Sequence, residues 1–412
     1  MTRGQVDRAA PLPGSLPGVL PGPAHGVRPA DLHQPAQPER GVHVDRHEVV
    51  RQHNEGRILA AIASSSEPVS RVWIADATGL SKPTVNALVD ELVSTGLLRE
   101  AGVRTGSIGR PAWLVQVNPE AGMVLALSFD GDGLGAVVAD ITGQQRAAAH
   151  VPLPSPGRLM AAVQDLVDQV LRESGVAAES VRAVSVSAPG ILEPGSDRRA
   201  LAQNVPGLDD DALQRMLSGR FDAQIGFEND VNLAAIGEHR FGIADGATDF
   251  VFLLVDAGVG MGLMLNGELL RGSRGAAGEA GYLPIGAEPL VGRVARIGGL
   301  ESQAGLAGLL ARYRRERSQR GLPASRATLA TFLRALDEGE PAAVETARLE
   351  VQLIAHAVLA VSVLVDPQVV GLSGRIGSAP FVLEGVRAEL ERVAPYPSTV
   401  QMSALHGSAA LL

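Results

Sequence analysis

Residues 76–96, with the sequence DATGLSKPTVNALVDELVSTG, constrain the fold of this chain more than any other stretch. Five apolar side chains repeat at i, i+3, i+4, i+7 and i+8, the spacing of one buried helix face. They are Val85, Leu88, Val89, Leu92 and Val93. Gly79 indicates a turn before this helix, and Ser81 is a suitable N-cap. Pro83 fits the first turn, and Gly96 indicates where the helix ends. The stretch is therefore predicted to be the second half of a helix-turn-helix.

Polar side chains off the buried face of this helix suit contact with DNA. The N-terminal end of a recognition helix enters the major groove, where hydroxyl and amide groups can read base edges. Lys82, the only lysine in the chain, lies at the same end and could contact a phosphate. We therefore predict a DNA-binding surface formed by Ser81, Lys82, Thr84 and Asn86. The alternative is an ordinary amphipathic helix in a small bundle.

Two further helices are predicted before the recognition helix. The first begins at His47. Its apolar stripe consists of Ile58, Leu59 and Ile62. The second lies within residues 69–79 and is predicted to turn Trp73 and Ile74 toward the core.

A β-hairpin is predicted after the recognition helix, because two β-prone runs, residues 97–104 and 111–117, are joined by TGSIGR. Its position after the third helix makes it a wing. Arg110, near the wing tip, is a candidate for the minor groove, where an arginine senses negative potential. The alternative for Arg110 is a solvated loop charge. The order helix, helix-turn-helix and wing is more specific than any one of these elements.

Charge divides the chain into parts that suit different partners. The net charge is −9, yet residues 46–117 contain eight Arg or Lys against seven Asp or Glu and so carry +1. Residues 1–45 are balanced, which leaves −10 on residues 118–412. Because DNA phosphates repel an acidic surface, we place DNA binding in residues 46–117.

Three parts are predicted along the chain. Residues 1–45 are rich in proline and glycine and are predicted to be a disordered tail. Residues 46–117 form the winged helix-turn-helix, and residues 118–412 alternate strands with helices, the pattern of an α/β architecture. The predicted strands are 123–129, 135–140, 181–187, 224–228, 250–255, 261–265, 268–270 and 369–372, and the predicted helices include 159–174, 305–336 and 341–364.

Composition also restricts the chemistry and the compartment. Cysteine is absent, which excludes disulfides and thiolate metal sites. No run of about 18 apolar residues is present, and residues 354–365 are predicted to be a buried helix. We therefore expect a cytoplasmic protein that makes no membrane contact.

Several motifs in residues 120–412 resemble those of the ROK family, which contains repressors, open reading frames and sugar kinases. They are SAPGILEP, QNVPGL, FENDVNLAAIGEHRFG, LVDAGVGMGLMLNGELLRGSRGAAGEAGYLPIG, GGLES and DPQVVGLSGRI, in the family's order. The resemblance implies two α/β lobes of the actin-like, sugar-kinase type with a cleft between them. The N-terminal winged helix-turn-helix is the arrangement of the family's transcriptional repressors.

The resemblance also implies a sugar site. Asp230 matches the general base of the family's kinases, although an aspartate after a strand and at a helix N-terminus can equally act as a cap. Glu279, Glu301 and Asn204 match the groups that hold sugar hydroxyls. The candidate sugar-binding residues are Asn204, Asn229, Asp230, Glu279, Tyr282 and Glu301. The alternative is a set of surface carboxylates without a ligand.

Both phosphate loops differ from those of the family's kinases. Where the kinases carry Asp-x-Gly-Gly-Thr, this chain has Ser128, Phe129, Asp130, Gly131 and Asp132. Where they carry Gly-Thr-Gly-x-Gly, it has Asp256, Ala257, Gly258, Val259 and Gly260. Three carboxylates thus face the triphosphate position, whereas anion sites use backbone N–H groups and positive potential. We expect kinase activity to be lost, with no catalytic residue and Asp230 as a vestigial base position.

The family's zinc site is absent from the sequence. Tyr282 stands where the family has a histidine, and residues 292–299 keep none of its three cysteines. Because structural zinc needs about four nitrogen or sulfur ligands, no metal is expected. Tyr282 could fill the space and still donate to a ligand.

Three functions remain open at this point. The leading hypothesis is a sugar-responsive regulator, a repressor of carbohydrate-metabolism genes, without a cofactor. Its expected partners are a double-stranded DNA operator, a sugar or sugar-derivative effector and further copies of the chain in a homodimer or homotetramer. The alternatives are a bifunctional sugar kinase that also binds DNA and a regulator whose vestigial cleft serves only dimerisation.

Overall fold

The computed structural model describes residues 46–65, 67–104, 112–129, 133–188, 190–192, 199–200, 205, 208, 210–286, 292–323 and 326–405. The chain divides into the units Met1–Asn54 and Glu55–Leu412. Only the start of the first helix is described in the first unit. Arg110, Asn204, Asp130, Gly131 and Asp132 lie outside the described residues.

The helices and strands follow one another along the chain in a mixed α/β order. The helices are α1 (Arg46–Ala63), α2 (Arg71–Thr78), α3 (Lys82–Ser94), α4 (Leu159–Ser174), α5 (Asp210–Arg220), α6 (Asp230–Phe241), α7 (Arg293–Ile297), α8 (Gly299–Ala304), α9 (Leu306–Gln319), α10 (Leu329–Asp337), α11 (Pro341–Val365), α12 (Gly374–Gly377) and α13 (Pro380–Val393). The strands are β1 (Val69–Ser70), β2 (Leu98–Arg104), β3 (Ala112–Val117), β4 (Met123–Phe129), β5 (Gly133–Asp140), β6 (Gln145–Pro152), β7 (Val181–Ala188), β8 (Ile191–Leu192), β9 (Arg199–Ala200), β10 (Gln224–Asn229), β11 (Phe250–Val255), β12 (Val259–Leu265), β13 (Glu268–Leu269), β14 (Val369–Ser373) and β15 (Val400–Met402).

The predicted helix-turn-helix is confirmed in α2 and α3. Gly79 ends α2 in the left-handed region with φ 67°, and the Ser81 hydroxyl accepts the backbone N–H of Thr84 at 3.3 Å as the N-cap of α3. The buried face of α3 packs with α1, α2 and the hairpin β2–β3 in one apolar core. The hairpin, joined by β1, forms the wing sheet in the order β1-β3-β2.

One prediction about this core is wrong. Ile74 is fully buried, but Trp73 is 40% exposed. The buried face of α2 is formed by Ile74, Ala75 and Thr78, so Trp73 lies at its edge.

The two remaining large sheets share one topology. The first has the order β10-β7-β4-β5-β6 and the second the order β13-β12-β11-β14-β15. In each sheet, three consecutive strands pair as antiparallel neighbours, and two later strands add in parallel on the other side. Each sheet has its own buried apolar cluster. This repetition confirms the predicted pair of α/β lobes.

Helix α6 starts at the end of a strand of the first sheet and packs on the second. Two glycines of β12 permit this approach, since a Cβ at Gly260 would lie 2.8 Å from Val231 and one at Gly262 would lie 2.5 Å from Ala235. Gly260 is the last residue of the segment that corresponds to the second phosphate loop, and Gly262 lies two residues beyond it. In the structure, Gly260 and Gly262 make room for α6.

Several elements differ from the sequence predictions. The helical segments predicted within residues 305–336 are α9 and α10, and Gly321 and Pro323 follow the end of α9. Strand β6, helix α5 and helix α13 were not predicted. Asn266 and Gly267 form the turn between β12 and β13, with φ 53° and 76°.

Helix α11 is, among the described residues, the one helix long and apolar enough to cross a membrane by length and composition. It packs against α9 and α13, and its buried side chains include the charged Glu350. The prediction of a buried helix holds for Ile354 and Val358 but is wrong for the last turn, where Val363 and Leu364 are exposed. Its contacts are those of a core helix.

Candidate functional site

The N-terminal half of α3 presents the predicted DNA-binding residues on one surface. Ser81, Lys82 and Asn86 are exposed, and Thr84 is half-buried. The Ser81 and Thr84 hydroxyls lie 2.8 Å apart and hydrogen-bond to each other. Lys82 and Asn86 thus lie exposed at the N-terminal half of α3.

Arg71, which the sequence did not indicate, forms an ion pair with Asp90, an acidic residue of α3. Arg71, the first residue of α2, donates from Nη2 to Asp90 Oδ1 at 2.6 Å and from Nη1 to the Asn86 carbonyl at 3.3 Å. The hydrogen bond from Arg71 lowers the pKa of Asp90. This pair reduces the repulsion between Asp90 and a phosphate backbone and ties α2 to α3.

Asn229 and Asp230 lie where β10 ends and α6 begins. The Asn229 side chain accepts the N–H groups of Val231 and Asn232 at 2.9 and 3.1 Å, and its Nδ2 donates to the Gly190 carbonyl at 3.0 Å. Asn229 is therefore a positioning residue whose amide is already used. Asp230 Oδ1 accepts the N–H of Val231 at 2.9 Å, so it is held at the start of the helix.

Glu279 and Glu301 approach Asp230 from the second lobe. The N–H of Val259 donates to Glu301 Oε2 at 3.0 Å and fixes that side chain. Burial raises the pKa of Glu279, and the negative charges of Glu301 and Asp230 raise it further. Burial also raises the pKa of Glu301, against the opposing effect of the Val259 N–H. The charges of Asp230 and Glu301 therefore both act on Glu279.

This group of carboxylates can accept hydrogen bonds from vicinal hydroxyls, and charged acceptors make the stronger ones. We call Asp230, Glu279 and Glu301 the cleft acids. The structure brings these three predicted sugar-binding residues together. Asn204, the fourth predicted hydrogen-bonding partner, lies outside the described residues.

A salt bridge beside the cleft acids was also not predicted. Arg271, which follows β13, donates from Nε to Glu228 Oε2 at 2.7 Å, while Asn232 donates to Glu228 Oε1 at 3.0 Å. Glu228 precedes the Asn229 cap, so this bridge joins the two lobes next to Asp230. The sequence offered no local signal for it, because 43 residues separate the partners.

Tyr282 faces the segment where the family has its zinc. Its hydroxyl donates to the carbonyl of Arg296 in α7 at 3.1 Å, and its side chain is 54% exposed. The neighbouring chain segments are close, because a Cβ at Gly298 would lie 2.1 Å from the Gly281 carbonyl oxygen. No imidazole or thiolate is present in this segment, so these residues do not fit zinc.

Tyr282→Phe is expected to lower the free energy of unfolding by about 0.5–1.5 kcal/mol, the usual net worth of one hydrogen bond. It should also speed proteolytic cleavage within residues 292–299. Urea unfolding and limited proteolysis measure the two effects. The matched control is Tyr396→Phe, at a tyrosine that is 86% exposed. Equal behaviour of both variants would show that Tyr282 does not hold this segment.

The second phosphate loop contains an ion pair. Asp256 accepts from the guanidinium of Arg375 at 2.5 and 2.8 Å and from the Arg375 backbone N–H at 2.8 Å. Although burial opposes it, Arg375 holds the pKa of Asp256 below its usual value. From the sequence, Asp256 was expected to face the triphosphate position as one of three negative charges, and Arg375 was not identified as its partner. Ser128, the first residue of the first phosphate loop and the last but one of β4, is buried.

Two protein families match this chain, each over a different part of it. The sequence model of the ROK family matches residues 124–409, and that of the MarR family matches residues 52–106. A xylose repressor of Caldicellulosiruptor bescii is 27% identical over 272 residues. The match covers 64% of this chain and 66% of the repressor, slightly less than two thirds of that relative's length.

Two crystal structures show the same fold. A ROK family transcriptional regulator, described as a homologue of the E. coli MLC protein, has a TM-score of 0.72 at 20% identity and covers 88% of this chain and 94% of its own. A ROK hexokinase from Thermus thermophilus has a TM-score of 0.58 at 27% identity and covers 70% of this chain and 95% of its own. A regulator and a kinase thus both share the two-lobed architecture.

Proposed function

The chain belongs to the ROK family, and we propose that it is a DNA-binding transcriptional repressor whose two lobes sense a sugar or sugar derivative. One observation carries the proposal: the cleft acids converge in a chain that also has a capped, exposed recognition helix. The names of the similar xylose repressor and ROK regulator support it. Such a protein works in the cytoplasm, where the chromosome is.

We also propose the division of labour along the chain. Residues 46–117 bind the operator, residues 118–412 sense the sugar and dimerise, and residues 1–45 are a tail. One recognition helix reads only a few base pairs, so a homodimer or homotetramer on two symmetric half-sites is expected. A sugar that bridges Asp230 and the two glutamates would bind the closed form of the lobes more tightly than the open form, and would therefore shift the protein toward the closed form. Closure would then change how well the recognition helices fit the operator.

A thermal-shift screen of pentoses, hexoses and their phosphates tests the sensing part of the proposal. A ligand that binds only the native state raises the melting temperature with its concentration. The effector should raise it in the parent protein and not in Glu279→Gln. If no sugar shifts the melting temperature, the alternative in which the lobes serve only dimerisation gains support.

The second candidate function is a bifunctional sugar kinase. Asp230 stands at the position of the kinase base, and a hexokinase shares the fold. The Asp256–Arg375 pair in the second phosphate loop argues against ATP binding there. An ADP-release assay with ATP, magnesium and common hexoses should stay at background. Turnover that depends on both the sugar and Asp230 would establish the kinase instead.

Asn86→Ala is expected to cost about 1–3 kcal/mol of operator affinity at one base position if Asn86 reads a base. Lys82→Ala and Arg110→Ala should instead weaken binding equally on all sequences and each lower the salt slope by about 1. Fluorescence anisotropy with a set of single-base operator variants at several salt concentrations separates these effects.

The matched control is Ser94→Ala at the C-terminal end of the same helix, where Ser94 is exposed. It should leave both affinity and specificity unchanged. A uniform loss across all operator variants in Asn86→Ala would show that Asn86 contacts only the backbone.

A further inference from the structure

The carboxylate of Asp256 is bound by four N–H groups of two chain segments. Its Oδ1 accepts from Arg375 Nε, Arg375 Nη2 and the Ala257 backbone N–H at 2.8, 2.5 and 2.6 Å, and its Oδ2 accepts from the Arg375 backbone N–H at 2.8 Å. Two of these donors are backbone groups and two belong to one guanidinium. The carboxylate thus fills a pocket of donors.

The backbone around this pocket is held independently of the ion pair. Strands β11 and β14 are parallel neighbours that place the Asp256 loop and Arg375 side by side. Gly374 has φ 89°, and a Cβ there would lie 2.4 Å from the Val255 carbonyl oxygen. The Asp256 carbonyl accepts the N–H of Leu306 at 2.8 Å, which ties the loop to α9. Removing the Asp256 side chain therefore leaves the two backbone donors near their places.

The same set of donors is what proteins use for phosphate groups. A guanidinium binds phosphate oxygens through two parallel N–H groups, and backbone N–H groups supply the rest of such sites. The Asp168–Arg220 pair is different, because its one contact, Arg220 Nη2 to Asp168 Oδ1 at 2.5 Å, involves no backbone donor.

We propose that Asp256 and its partners are an anion site filled by the chain's own carboxylate, and that this site binds a phosphate group once the carboxylate is removed. A tethered group competes at a high effective concentration, so free phosphate does not displace it. The native loop is thereby closed to the phosphates of a nucleotide. This inference deepens the proposal that the lobes sense a sugar without ATP, and it does not depend on operator binding.

Isothermal titration with inorganic phosphate and with ADP tests this inference on the full chain. Asp256→Ala should bind phosphate at least about tenfold more tightly than the parent protein. Arg375→Ala and the double variant Asp256→Ala/Arg375→Ala should return to parental affinity. Asp168→Ala, which removes the acid of the Asp168–Arg220 pair, should bind phosphate no more tightly than the parent protein. Equal gains in Asp256→Ala and Asp168→Ala, or no gain in a folded Asp256→Ala, would overturn the inference.

Asp256→Asn provides a second test if the alanine variant is unstable. Asparagine retains the size of aspartate, and its single amide oxygen can still accept from the Ala257 N–H, so it should keep the site filled and closed to phosphate. Circular dichroism checks folding. Phosphate binding by Asp256→Asn equal to that of Asp256→Ala would mean that charge alone, and not occupancy, closes the site, and this too would overturn the inference. Either result leaves the sugar and operator measurements untouched.

Discussion

Replacing Glu350 by alanine is expected to lower the free energy of unfolding by about 3–5 kcal/mol, because it leaves a buried guanidinium without its partner. Glu350 on α11 is fully buried and pairs with Arg312 Nη2 on α9, whose side chain is also buried. Arg312 further donates from Nη1 to the Gln303 carbonyl in α8 at 3.0 Å. The pair thereby joins three helices, and α8 carries Glu301. Chemical denaturation followed by circular dichroism measures the loss.

The control for this prediction is Glu345→Ala on the same helix. Glu345 pairs with Arg348 one turn away at the surface, where an ion pair is screened by water. Its removal should hardly change stability. If Glu350→Ala and Glu345→Ala lose equally little, the buried pair does not stabilise the native state.

The pair also predicts a pH dependence. Burial outweighs the attraction of Arg312 and raises the pKa of Glu350 to about 8, and its Oε1 has no hydrogen-bond partner in the described part of the chain. Between the unfolded value of 4.5 and about 8, the native state then binds more protons than the unfolded state. Stability from this group is present below the lower value and is lost as pH rises toward the upper one. Glu350→Gln should flatten that part of the stability profile.

Asp230→Asn and Glu279→Gln are each expected to abolish the sugar response of operator binding while leaving sugar-free DNA affinity nearly unchanged. Allosteric coupling typically changes affinity by about 5–150-fold, and all of it depends on contacts made at the sugar site. Each substitution removes the charge of a cleft acid and keeps its size. We expect the sugar to weaken operator binding in the parent protein, which is derepression.

Operator anisotropy with and without the sugar found in the thermal-shift screen measures this effect. Asp222→Asn is the matched control, because Asp222 is an exposed carboxylate just before β10, whereas Asp230 directly follows that strand. It should respond like the parent protein. A full sugar response in Asp230→Asn would show that the sugar does not bind at the cleft acids.

Local sequence patterns predicted the recognition helix well. The apolar spacing from Val85 to Val93, the Ser81 cap and Gly79 act within a few residues of chain, so their outcome depends little on the rest of the molecule. Trp73 was misplaced because the edge of a core depends on which neighbours reach it. The family motifs led to Asp230, Glu279 and Glu301 but not to the partners that orient them.

The sequence by itself determined the helix-turn-helix, the strand runs of both lobes and the candidate carboxylates, because periodicity, capping and motif order are local properties. Only the tertiary structure decided which acidic residues near them have an arginine partner. Arg375 reaches Asp256 across 119 residues, and Arg271 reaches Glu228 across 43. From the sequence, Asp256 was interpreted as a charge that would repel phosphate. With its partners in place, it is interpreted as the group that occupies an anion site. Such pairs cannot be predicted from the separation of two residues along the sequence, because the strand pairing and helix packing that bring them together depend on the whole fold.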